Sequence, residues 1–127
     1  MKTSHFRSPK LDPEQHVQVQ ISLGTPRYWR TEKHGPLTIV RLLAPEAWAL
    51  RAYRAEKEPY EVAYRARLDK VWVPRIEARL SELSEANPGK ELVLLCFEDL
   101  AVPENWCHRT IFAAWWFEQT RERIEEL

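Results

Sequence analysis

Glu91-Leu-Val-Leu-Leu-Cys-Phe-Glu98 is the stretch whose reading decides the fold. From Leu92 to Phe97 it is an unbroken apolar run of strand length, bounded by Pro88-Gly89 before and Glu98-Asp99 after. A run without alternation marks a strand buried on both faces, as in the middle of a parallel sheet. Downstream, the segment from Asp99 to Asn105 contains Pro103 and has no periodicity, and a helix is then expected from about His108 to Glu125. On that helix Ile111 pairs with Trp115 and Phe112 with Trp116, each four residues apart, which makes a broad apolar face. Strand, loop and helix in this order bring the helix's first amides, with their partial positive charge, to the end of the strand. An open α/β sheet usually holds an anion there.

Upstream, Val17, Val19, Ile21 and Leu23 alternate with Gln18, Gln20 and Ser22, the period of a strand with one drier face. Gly24-Thr-Pro-Arg27 turns the chain, and Arg27, Tyr28, Trp29 and Arg30 crowd two cations and two aromatics into the exit. Arg27 is read as neutralising an anion held by the downstream helix, and Arg30 as solvated, with Tyr28 and Trp29 covering the core edge. Leu37 to Leu43 reads as a further strand at a sheet edge. Pro45 fits the first position of a helix reaching about Ala55, with Trp48 and Ala52 on one side and Arg51 and Arg54 pointing elsewhere. A second helix is expected from about Pro59 to Trp72, with Tyr60, Tyr64, Leu68 and Val71 along one side as core residues. Pro74 begins a third, with Ile76, Leu80 and Leu83 as its apolar line, and Asn87-Pro88-Gly89 stops it. Residues 1–15 are short of apolar side chains, and Pro9 and Pro13 keep them out of a regular helix. Taken alone, the first few read as a frayed terminus. The sum is α/β, one compact domain over residues 1–127, with a small, mainly parallel sheet and helices packed on it.

Composition bounds the partners. Hydrophobic residues make up 44% of the chain and charged ones 30%, ordinary values for a globular protein. Nineteen basic and nineteen acidic residues cancel, which removes the broad positive footprint expected of a nucleic-acid binder. No apolar run is long enough to cross a bilayer. The first residues carry charges with no apolar core behind them, unlike a secretory signal. Two cysteines without an export signal are expected as reduced thiols in the cytoplasm. Nothing in the sequence specifies a cofactor or an oligomeric state.

Both cysteines fall in the deciding region. Cys107 lies at the helix start beside His108 and Arg109, where a thiol ionises more easily than in free solution. It is the nucleophile expected from the sequence. Glu98 closes the strand at the ligand edge and can take a proton or orient His108. Arg109 brings a planar fork suited to a carboxylate or phosphate, or to a structural ion pair with Glu98. Cys96, inside the strand, reads as a small buried hydrophobe. Three roles follow. In the first, Cys107 attacks an anionic, phosphate- or nucleotide-like small molecule, with Arg109 holding charge and Glu98 or His108 moving protons. Arg109 is only two positions on, too close for the cradle that thiol phosphatases use. A disulfide between Cys96 and Cys107 is a variant of this role and needs their Cα atoms within about 7 Å. In the second, Cys96, Glu98, Cys107 and His108 bind a transition metal, although no Cys-x-x-Cys knuckle exists. In the third, the domain is a non-catalytic module that senses an anion or docks a partner through some of its six tryptophans.

Leu94-Leu-Cys-Phe-Glu98 followed by Cys107-His-Arg109 resembles the hallmark of the domain of unknown function 488 family. Thr3-Ser-His-Phe-Arg7 is similar to an early segment of that family, Ile21-Ser-Leu-Gly-Thr-Pro-Arg27 to its second strand and turn, and Leu43-Ala-Pro45 to a tripeptide it carries. The resemblance spans nearly the whole chain. It implies a compact α/β domain of bacterial or archaeal type and brings no established activity. It also implies that Lys2 to Ser4 ends a first strand, so that Thr3, Ser4 and His5 open onto the edge that holds Cys107. Ser4 thereby joins Arg109 and Arg27 as an expected anion-binding residue.

Overall fold

A computed structural model describes residues 1–127. The stretch that decides the fold is strand β4 (Glu91–Cys96), the middle of a five-stranded sheet. Its neighbours are β2 (His16–Gln20) on one side and β1 (Lys2–His5) on the other. Two-residue strands β3 (Thr38–Ile39) and β5 (Glu125–Glu126) form the edges, giving the order β3-β2-β4-β1-β5. Every pairing is parallel. The expected α/β class and buried central strand are therefore both present, and Leu92 to Cys96 are all buried.

The two faces of the sheet are covered differently. Val17, Val19, Leu92 and Leu94 share one face, and the helices pack there. These are α3 (Lys57–Val71), α4 (Val73–Ala86) and α5 (His108–Thr120), following the short α1 (Thr31–His34) and α2 (Ala47–Tyr53). Tyr64, Leu68, Ile76, Ile111, Phe112, Trp115 and Trp116 fill this main core, as their helical spacing required. Pro74 separates α3 from α4, because it offers no N–H and its ring clashes with the preceding turn. The second face carries Val93, Leu95 and Phe6 and is covered by loops instead of a helix.

That loop cover corrects the reading of β2. Its glutamines were expected on the wetter side, yet Gln18 is 3% and Gln20 0% exposed. Gln18 donates to the carbonyls of His34 and Pro36 at 3.0 and 3.1 Å, and Gln20 donates to Ser22 and accepts from the Thr25 hydroxyl. The last residue of α1 and the loop after it bring free carbonyls, so the buried Gln18 amide is satisfied there. Gly35 closes this loop with φ +89° and ψ 174°, a conformation essentially restricted to glycine, and an added Cβ would lie 2.6 Å from Pro13 Cβ. Gly35→Ala is therefore expected to destabilise the protein by about 2 kcal/mol or more. Urea unfolding measures this, and a loss below ~0.5 kcal/mol would mean that the loop shifts freely.

Several boundaries differ from the sequence reading. The segment expected as an edge strand to Leu43 pairs only at Thr38–Ile39 and then enters a 3₁₀ turn at Arg41–Leu43. The helix expected from Pro45 begins two residues later, at Ala47, and ends at Tyr53. Helix α5 stops at Thr120 instead of near Glu125, because Arg121 takes a left-handed conformation (φ 67°) and its N–H bonds back to Phe117. The chain then turns to lay β5 beside β1, where Leu127 N–H donates to Thr3. The first residues are not frayed, since β1 is an interior strand. No helix is long and apolar enough to cross a membrane.

Candidate functional site

At the carboxyl ends of β2 and β4 lies a pocket of about 670 Å³, within the range of small-molecule sites. The expected location and the pocket coincide. Ser22 to Gly24 enter it from β2, Cys96 to Glu98 from β4, and Glu104 to His108 from the loop that starts α5. Pro45, Leu50, Tyr60, Phe97 and Trp106 give it apolar and aromatic walls. The Tyr60 and Trp106 rings meet edge to face, 4.9 Å between centroids. Arg54 is its one permanent cation, against the carboxylates of Glu98 and Glu104.

Cys96 and Cys107 meet in the pocket wall and are joined by a disulfide. Their Cα atoms are 7.3 Å apart, slightly beyond the roughly 7 Å expected for such a bond. The expectation of two reduced thiols is corrected here. A residue at the strand end and one at the helix start are brought together because α5 packs back across β4. Cys96 is consequently part of the site and not merely a buried hydrophobe.

Each sulfur has its own polar neighbour. Arg109 Nη1 donates to Cys96 Sγ at 3.1 Å, while its Nε and Nη2 form a two-pronged pair with Glu126 at 3.0 and 2.7 Å. Glu126 also accepts from the Thr3 hydroxyl at 2.8 Å. His108 is held from behind, where its Nε2–H donates to the Ile21 carbonyl at 2.7 Å. A carbonyl can only accept, so the proton of the neutral ring sits on Nε2 and Nδ1 is bare. Nδ1 lies 3.8 Å from Cys107 Sγ, and Tyr64 packs edge-on against the ring. Burial pushes His108 down to about 4, with the Arg109 charge acting the same way and the Ile21 hydrogen bond opposing, so the ring is neutral at pH 7. Burial, helped by the Glu98 charge, also keeps the Tyr60 hydroxyl protonated.

The expected residues divide. Cys107, His108 and Glu98 line the pocket, and a Glu98 carboxylate oxygen is 4.0 Å from Cys96 Sγ. Arg109 does not open to it. The side chain is fully buried and its fork is taken by Glu126, which corrects both the anion-binding role and the alternative pairing with Glu98. Arg27 is exposed and outside the pocket wall. Ser4 is 1% exposed and in register with Leu95, whose side chain packs on the opposite face of the sheet from α5. Neither lines the pocket that holds Cys107. Arg54, Tyr60 and Trp106 are the pocket residues that the sequence reading missed. Helical spacing marked Tyr60 as core, and it is both buried and pocket-lining.

Cys96, Cys107 and His108 also bring one donor atom each within 4.8 Å of one another. While the sulfurs share a bond neither is a thiolate, so this trio is a metal-ligand set only after reduction. The fold and the site together define a parallel-sheet α/β domain with a cysteine pair in a pocket wall at the strand ends. No protein-family model matches the chain, and neither a curated protein nor a solved structure matches it.

Proposed function

We propose that the protein is a thiol-dependent enzyme whose Cys96–Cys107 pair cycles between disulfide and dithiol, acting on a small disulfide or thiol in the pocket. The observation that carries this reading is the unequal surroundings of the two sulfurs in one pocket wall, a guanidinium on Cys96 and a bare imidazole nitrogen by Cys107. In the reducing direction, Cys107 gives its thiol hydrogen towards His108 Nδ1 and attacks one sulfur of the substrate disulfide. A Cys107–substrate bond forms, and the other half of the substrate leaves as a thiolate. Cys96, its own thiol hydrogen passing to the departing sulfur, then attacks Cys107 Sγ, closing the protein disulfide and releasing the second half of the substrate as a thiol. The protein loses two electrons and the substrate gains them. Arg109 is placed to stabilise negative charge on Cys96 throughout. The wall's one cation and two carboxylates give an anionic substrate weaker support, from Arg54 and the amides of α5 alone.

The resemblance to the domain of unknown function 488 family enters the same proposal, because the segments that carry it converge on this site. Thr3 bonds Glu126, which holds Arg109, and Ile21 fixes His108. The Leu43 and Ala44 carbonyls accept from Tyr64 and Arg67, and Pro45 lines the pocket.

The test is a glutathione redox titration of the native protein, quenched by alkylation and read by mass. Cys96 and Cys107 should become alkylatable together in one two-electron transition. The dithiol should then reduce hydroxyethyl disulfide at least tenfold faster than Cys107→Ser does. A disulfide that opens only when the protein unfolds would make the pair structural and end the proposal.

A further inference from the structure

A second pocket, of about 530 Å³, lies on the loop-covered side of the sheet, away from the cysteines. Its charge is one-sided. Arg7, Arg30 and Lys33 line it together with His34, and no carboxylate does. None of the three permanent cations takes part in an ion pair. Asp12, on an adjoining loop, is turned to the backbone N–H of Glu14. In a chain whose charges cancel, three unpaired cations around one concavity are a concentrated positive field.

The walls between these cations are aromatic. Arg7 is fixed over the Tyr28 ring, 4.1 Å from its centroid, and Trp29 packs against both Phe6 and His34. Trp29 Nε1–H is tied to the Gly35 carbonyl and Gln18 is bonded beneath, so the frame exists without a ligand. Two polar groups are unspent. His34 Nδ1 lies 2.9 Å from the Arg30 nitrogen and 3.2 Å from the Arg30 carbonyl oxygen, which leaves its Nε2 without a partner. The Tyr28 hydroxyl is the one buried side-chain polar atom without a hydrogen-bond partner. Burial raises its pKa, against the pull of Arg7, so it keeps its proton and needs an acceptor.

We infer that this pocket binds a small phosphate monoester carrying a planar ring, the chemistry of a mononucleotide. A phosphate monoester has close to two negative charges at neutral pH and three acceptor oxygens, matching several cations and free donors where one carboxylate would leave charge unmatched. Aromatic walls accept a flat base by stacking. This site is independent of the thiol chemistry and shares no lining residue with it.

The experiment is NMR titration of the ¹⁵N-labelled protein with adenosine monophosphate, adenosine and inorganic phosphate in parallel. The nucleotide is expected to shift the signals of Arg7 and Tyr28 to His34 and to leave those of Cys107 and His108 unmoved. Adenosine and phosphate should each bind at least tenfold more weakly. Arg30→Gln with Lys33→Gln, both exposed and unpaired, should weaken the nucleotide at least tenfold with the fold unchanged. Four results would overturn the inference: no shifts at millimolar nucleotide, shifts centred on the cysteine pocket, phosphate as tight as the nucleotide, or an unaffected double variant.

Discussion

Glu126→Ala is expected to destabilise the protein by about 3 kcal/mol or more, as removal of one partner of a buried ion pair does. The side chain of Arg109 is completely shielded from water, whereas that of Glu126 is 37% exposed. Loss of the carboxylate strands a buried guanidinium with Cys96 Sγ as its one side-chain acceptor, and leaves the Thr3 hydroxyl without its bond. The asymmetry of exposure gives the prediction its sign. Arg109→Met removes the buried charge itself, keeps the stem's packing and leaves a carboxylate that water can reach, so it should cost less, about 1–2 kcal/mol. Urea unfolding of the two variants, with the disulfide intact in both, tests the order. Equal losses, or the reverse order, would show that Arg109 is not buried as described. Because β5 holds only two residues in the sheet, the same substitution should also free the C-terminal segment, visible as lost amide protection at Leu127.

That ion pair marks where sequence legibility ended. The run Leu92 to Cys96 and the periodicity of Tyr60, Tyr64, Leu68, Ile76, Leu80 and Leu83 revealed the middle strand and the main helices. Burial on both faces of a strand, or on one side of a helix, leaves a direct imprint on residue type. Strand β5 left no such imprint, because two residues pair only where an existing sheet edge meets them, and β3 keeps only Thr38–Ile39 of the edge strand expected from Leu37 to Leu43. Arg121-Glu-Arg-Ile-Glu-Glu126 is suitable for a helix, and the left-handed turn at Arg121 together with the Arg109–Glu126 clamp overrode that preference. Gln18 and Gln20 looked solvated for a similar reason, since the carbonyls that satisfy them come from a loop farther along the chain.

The candidate site was legible in position and less so in roles. The strand end and helix start that carry Cys96, Glu98, Cys107 and His108 do border one pocket. Arg109 was misread because a guanidinium beside a thiol at a helix start is the pattern of an anion site. Its partner lies seventeen residues on, across a turn that local pattern does not show. Arg54, read as pointing away from its helix's apolar side, lines the first pocket, and Arg30, read as solvated, is exposed at the rim of the second. On a mixed-charge surface the sequence does not distinguish a solvated cation from one at the rim of a concavity.

The imidazole of His108 adds an acid limit to stability. An unfolded histidine takes up its proton near pH 6.5, whereas burial holds folded His108 at about 4. Between these values the unfolded chain binds a proton that the native state refuses, so stability falls as pH falls. The full contribution is present above pH 6.5, shrinks by about 1.4 kcal/mol per pH unit, and is lost by about pH 4. Over the window this amounts to about 3 kcal/mol. His108→Gln retains a donor for the Ile21 carbonyl and removes the titration. Its unfolding free energy should therefore vary less between pH 7 and 4 than that of the parent, by about 3 kcal/mol, whatever its absolute stability. The difference between the two pH profiles isolates His108 from the groups that both proteins share. Parallel profiles would mean that folded His108 protonates as freely as an exposed ring. A ring that protonates so freely would be a stronger base towards Cys107 than one held at about 4, so the same measurement bears on the stability of the fold and on the chemistry proposed for the thiol.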